Sequence, residues 1–121
     1  MKVLVCGGRE FRNVTLLNNT LDKLLTLDDP IKMLINGGAR GADTLAHLWA
    51  VRHGIQTVKC DANWSVHGKA AGHKRNLMML LLDPDLVIAF PGGTGTAMMI
   101  RYSKDSNVPV WEIRDELQSN P

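Results

Sequence analysis

The chain has 121 residues, a length that suits one ordinary domain burying roughly two thirds of its unfolded surface. Fourteen Lys and Arg stand against 12 Asp and Glu, and a net charge of +2 creates no field that by itself implies nucleic acid or a membrane surface as partner. The longest apolar run, residues 77–82, is far below the roughly 20 residues that cross a bilayer, and no signal-peptide cleavage site follows Met1, so a cytoplasmic protein is expected.

In chain order, residues 2–6 form a short β-branched run ended by glycines, which predicts a buried strand. Leu16, Leu17, Leu21, Leu24 and Leu25 recur at spacings of three and four and predict a helix over about 13–26, stopped by Asp28, Asp29 and Pro30. Residues 31–36 predict a second strand. Ala42, Leu45, Ala46, Trp49, Ala50 and His53 mark the inner face of a second helix that Gly54 ends. Residues 55–60 are the third strand. After a loop carrying Trp64, residues 68–82 predict a third helix with Ala70, Lys74, Leu77, Met78, Leu81 and Leu82 on one side. Residues 85–90 are a fourth strand, 94–105 a fourth helix and 108–113 a fifth strand; only the last few residues look frayed. Strands alternating with helices predict an α/β fold, a Rossmann-like three-layer sandwich on a mainly parallel five-stranded sheet, in a single domain spanning 1–121.

Open α/β sheets bind ligands beyond the carboxyl ends of their strands, where strand order reverses. Three strand ends here carry glycine clusters: Gly7, Gly8 and Arg9; “GGARGAD” from Gly37 to Asp43, including Gly38, Arg40 and Gly41; and “PGGTGT”, comprising Pro91, Gly92, Gly93, Thr94, Gly95 and Thr96. Backbone N–H groups left free there, together with the positive end of a helix dipole, favour phosphate, and the threonines add hydroxyl donors. The GxxxxGK[ST] run of P-loop NTPases is absent, and “GGREFR” does not fit G-x-G-x-x-G. The four histidines and two cysteines show no metal-ligand spacing, so no metal or resident cofactor is expected, and Cys6 and Cys60 read as reduced thiols.

Arg9, Arg40, Lys69, Lys74 and Arg75 are the charged residues near these clusters. A guanidinium grips phosphate through two parallel hydrogen bonds, which makes Arg9, Arg40 and Arg75 the phosphate candidates. Asp43 can accept from a ribose diol or simply favour a helix start. Trp64, in a polar loop, can stack on a base or seal the edge of the core.

Through “GGREF”, “GGARGAD”, “GKAAGHKRN” and “AFPGGTGT”, in that order from Gly7 to about Tyr102, the chain resembles the SLOG superfamily of Rossmann-like nucleotide-binding domains, most closely its YspA branch, related to YpsA. More distantly it is similar to the LOG-type phosphoribohydrolases, which cleave the base from a nucleoside monophosphate, and to the DNA-processing DprA proteins. The resemblance implies a ligand crevice that includes Lys69, Arg75 and Asn76. In LOG enzymes a glutamate after the glycine motif works with an upstream arginine; Arg75 matches that arginine, while the acidic positions are Met98 and Met99. A thioether neither accepts a proton nor stabilises developing positive charge as a carboxylate does. The resemblance therefore implies a small-molecule nucleotide ligand, such as an ADP-ribose or NAD-like compound, held for sensing or sequestration. The alternative is hydrolysis of an N-glycosidic or phosphate bond with Arg75 as catalytic candidate and Asp43, Asp61 or Glu10 replacing the glutamate. Single-strand binding in the manner of DprA is disfavoured by the small net charge. Relatives of this kind pair through helices flanking the site, and the methionine and leucine content of residues 77–82 and 97–100 fits a homo-oligomer, a dimer or higher.

Overall fold

A computed structural model describes residues 1–61 and 70–115. It contains strands β1 (Lys2–Cys6), β2 (Met33–Asn36), β3 (Gln56–Lys59), β4 (Leu86–Ala89) and β5 (Val110–Glu112). Between them lie helices α1 (Val14–Asp22), α2 (Ala42–Arg52), α3 (Ala71–Leu81) and α4 (Thr94–Asp105). The sheet order is β3-β2-β1-β4-β5 and every pairing is parallel. Strand order thus reverses between β1 and β4, and the expected Rossmann-like α/β architecture is found.

The alternation along β1 shows how the layers are built. Val3 and Val5 point to one face, where they join Leu34, Leu86 and Ile88 beneath Leu17 and Leu21 of α1 and Ala46 and Trp49 of α2. Leu4 and Cys6 point to the other, joining Ile35, Val87 and Ala89 against Met79 of α3 and Met99 of α4. Because β1, β2 and β4 have helices on both sides, their residues read as continuous apolar runs rather than alternating ones. The helix expected over 13–26 begins with Asn13, whose Oδ1 accepts the Leu16 N–H at 3.0 Å, and its regular part ends at Asp22 in a 3₁₀ turn, Lys23–Leu25. Buried Trp49 keeps its indole N–H satisfied by donating to Asp22 Oδ1 at 2.9 Å.

The third helix is found within the expected span, and the side that carries Lys74, Leu77, Met78 and Leu81 faces solvent. Leu81 is 80% exposed, while Ala71, Asn76 and Met79 are buried. Two polar residues are drawn inward. Arg75 Nη1 donates to the Gly37 carbonyl at 2.9 Å, which ties α3 to the loop after β2, and Arg75 Nε donates to Asn76 Oδ1 at 3.1 Å within the helix, which orients the guanidinium.

Two substitutions separate the alternatives. Met79→Ala should cost about 2 to 5 kcal/mol in urea unfolding, whereas Leu81→Ala should stay within about 0.5 kcal/mol of the parent. Comparable losses at both positions would overturn this placement of the helix.

Candidate functional site

The loops that follow β1, β2 and β4 converge on the main chain of Gly8. Its N–H donates to the Pro91 carbonyl at 2.9 Å, and its carbonyl accepts from Phe11 N at 3.2 Å and Ala42 N at 3.3 Å. Such convergence needs small residues. A Cβ on Gly8 would lie 2.9 Å from the Gly92 Cα, and a Cβ on Gly41, whose φ is +84°, would lie 2.3 Å from the Gly8 oxygen. Much of the glycine content is therefore explained by how closely the loops pack on one another.

Gly93 and Gly95 differ. Neither has positive φ, and a Cβ on either would meet nothing within 4 Å. They flank the start of α4, whose N-cap is Gly93 with no side-chain hydrogen bond to the helix amides and no acidic residue in its first turn. Gly93, Thr94, Gly95 and Thr96 line a cavity of about 490 Å³, in the size range of small-molecule sites. The same cavity is lined by Gly7, Gly8 and Arg9 after β1, by Ala39 and Asp43 from the β2–α2 turn, and by Arg75 and Asn76 of α3.

Most candidates from the sequence thus meet in one crevice at the switch point. Gly37 serves it indirectly, by accepting from Arg75, and Gly38 by donating its N–H to Asn36 Oδ1 at 2.8 Å. Pro91 and Gly92 support the Gly8 junction from behind. Arg40 and Gly41 do not line the crevice; Arg40 turns outward and pairs with Glu10. Trp64 and Lys69 lie outside the described residues. Sequence reasoning missed Cys6, His73 and Met79, which also line the cavity. Cys6 and Met79 looked like plain core, and His73 carried no signal except its place one turn before Leu77; its Nδ1 lies 2.6 Å from the Tyr102 hydroxyl of α4. Of the three acids considered as replacements for the missing glutamate, only Asp43 lies in the crevice. Glu10 is on the surface between Arg12 and Arg40, and Asp61 beside Lys59. Met98 and Met99 both line the cavity, with Met98 Sδ accepting from Asn76 Nδ2 at 3.8 Å.

Asp43 is the electrostatic centre of the site. Burial pushes its carboxyl up from the ordinary 3.8 to about 6, against the Ala39 N–H that donates to Oδ2 at 3.1 Å and against the positive charge of Arg75. Burial likewise pushes the Cys6 thiol up to about 12, helped by Asp43 and opposed by Arg75, so Cys6 is an uncharged floor and no nucleophile.

The raised Asp43 value has a stability consequence of definite sign. The folded protein keeps this proton to about pH 6 while the unfolded chain releases it near 3.8, so the native state binds more protons in that window and stability falls as pH rises through it. The difference corresponds to about 3 kcal/mol. Asp43→Asn keeps an acceptor for the Ala39 amide and removes the charge. It should be more stable than the parent at pH 7.5 by on the order of 1 to 3 kcal/mol in urea unfolding, with the gap closing near pH 4. An equal gap at both pH values would show that Asp43 is not a strained anion.

The family model described as “YspA, cpYpsA-related SLOG family” matches residues 1–67, which carry the first two glycine loops. The chain is also 33% identical over 122 residues to the Gene 61 protein of Mycobacterium phage D29, covering 95% of this chain and 98% of that protein. No solved structure gives a significant match.

Proposed function

The chain belongs to the YspA, cpYpsA-related SLOG family, and from that premise we propose that its crevice binds a nucleotide or nucleotide derivative, an ADP-ribose or NAD-like compound or another nucleoside phosphate, for sensing or sequestration. The observation that carries the reading is the start of α4. Gly93 and Gly95 have no packing or φ requirement inside the protein, yet they border a cavity at uncapped helix amides. An absent side chain that the fold itself does not need is explained by a ligand whose phosphate approaches the backbone there. Arg9 faces the same space and makes no hydrogen bond or ion pair among the described residues, which leaves its guanidinium for the phosphate.

A second reading, hydrolysis of a nucleotide, is favoured by one specific feature. Asp43 is a buried carboxyl with a value near 6, placed in the crevice with Arg75, as an acid exchanging protons near neutrality requires. The exposed Leu77, Met78 and Leu81 of α3 support pairing of two copies through this helix, and a monomer in sedimentation velocity at micromolar concentration would remove that part of the proposal.

A nucleotide at 100 times its Kd should stabilise the protein by about 2.7 kcal/mol, read as a rise in Tm. Gly95→Ala should fold as well as the parent, gaining up to about 1 kcal/mol as a helix residue, and should lose tenfold or more in nucleotide affinity because its Cβ enters the cavity. Chromatography of the same incubations decides between holding and cutting: intact nucleotide supports binding alone, and free base or phosphate whose release is lost in Asp43→Asn supports hydrolysis. If no nucleotide shifts Tm, or if Gly95→Ala binds normally, the phosphate does not sit at α4.

A further inference from the structure

Helices α3 and α4 touch at two polar contacts beside the crevice. His73 and Asn76 are three apart on α3, and Met98 and Tyr102 four apart on α4, so each pair shares one helix face. Asn76 Nδ2 donates to Met98 Sδ at 3.8 Å. His73 Nδ1 lies 2.6 Å from the Tyr102 hydroxyl, with the ring centroids 5.7 Å apart and the planes tilted by 34°. The Arg101 guanidinium lies over the Tyr102 ring, 5.6 Å from its centroid, and so holds the phenol that holds the imidazole.

His73, Asn76 and Met98 line the cavity, whereas Tyr102 does not. The two nitrogens of an imidazole point away from one another, so a ring gripped at Nδ1 from outside the cavity leaves Nε2 for whatever the cavity holds. That nitrogen makes no hydrogen bond or ion pair among the described residues. A phenol gives a hydrogen bond more readily than it takes one, and a neutral imidazole that accepts at Nδ1 carries its hydrogen on Nε2. The crevice is thereby offered a donor. Its place along the ligand follows from α4, because Tyr102 lies eight residues beyond Thr94, a rise of about 12 Å along the helix. A ring anchored there stands well beyond a phosphate held at Gly93 and Gly95, at the sugar or the base.

We infer that His73 donates from Nε2 to an acceptor on the nucleoside half of the ligand, a ribose or base oxygen or a base ring nitrogen, and that Tyr102 is the positioning residue that fixes this tautomer. This rests on the crevice being a nucleotide site. It goes further in adding a recognition residue outside the glycine loops and in giving the contact between α3 and α4 a part in selecting the nucleoside.

Two measurements on the full chain test the inference. Imidazole nitrogen NMR of the ligand-free protein should show the hydrogen of neutral His73 on Nε2. Tyr102→Phe, which removes only the hydroxyl, should shift the Nδ1 resonance and restore a mixture of tautomers. A hydrogen on Nδ1 in the parent, or an unchanged spectrum in Tyr102→Phe, would overturn the positioning role. Calorimetric titration with AMP and with inorganic phosphate reads the contact itself. His73 is exposed, so its variants should fold. His73→Leu should weaken AMP binding about tenfold and leave phosphate binding unchanged, and Tyr102→Phe should weaken AMP binding about threefold. His73→Gln, whose amide nitrogen can stand where Nε2 stood, should recover AMP affinity to within about threefold of the parent. AMP held no tighter than phosphate by the parent, unchanged AMP affinity in His73→Leu, or equal losses for the two compounds would overturn the nucleoside contact while the crevice stands. Failure of the parent to bind either compound would overturn the crevice reading and this inference with it.

Discussion

The glycine loops of the site are joined at the main chain of Gly8. Its N–H and carbonyl hold the β4 loop on one side and the start of α2 on the other, so three loops from three strands are fixed by hydrogen bonds to a single residue. The arrangement works because backbone meets backbone: with Gly41 against the Gly8 oxygen and Gly92 against its Cα, no side chain intervenes and the loops approach as closely as main chains can. The crevice is therefore part of the rigid frame, in a position set by the parallel pairing of β1 with β2 and β4. A ligand entering it meets amides that are already oriented, which lowers the ordering cost of binding.

The interior of the crevice is unusual in its charge balance. Asp43 and Arg75 are both held by the β2–α2 turn, one through the Ala39 amide and the other through the Gly37 carbonyl. The protein thus places a carboxyl that resists ionisation next to a guanidinium that is always charged. With Arg9 and Arg75 both lining the crevice, its wall stays net positive in either state of Asp43 and loses one unit of that charge as the carboxyl ionises near pH 6. The methionines of α4 keep that wall free of a second acid.

Much of this was legible in the sequence. The β-branched runs gave β1, β2 and β4 their places, because parallel strands covered on both faces leave continuous apolar stretches, and the leucine spacing gave α1. The glycine clusters marked the site because their position at strand ends follows from chain order alone. What the sequence hid were rotations and partners. Nothing in the sequence from Gly68 to Leu82 says that Arg75 will reach the Gly37 carbonyl, a bond that accompanies the burial of Ala71, Asn76 and Met79 on that side of α3. For Asp43 the sequence offers a ribose contact or a helix-start carboxylate, and neither reading reveals that it is only 6% exposed with the Ala39 amide folded back onto it. Arg40, three residues earlier, is carried outward by the same turn to Glu10, a partner 30 residues away that local reasoning does not find.

The contrast among the glycines also bears on how such a domain diversifies. Positions at the Gly8 junction are locked to one another, so a change at one demands compensating changes in two other loops. Gly93 and Gly95 carry no such obligation. A single substitution there reshapes the mouth of the cavity while the sheet, the helices and the junction stay as they are. The frame of this fold and the mouth of its cavity are set by separate residues, so a single step at the start of α4 can alter the cavity without disturbing the loops that hold the frame together.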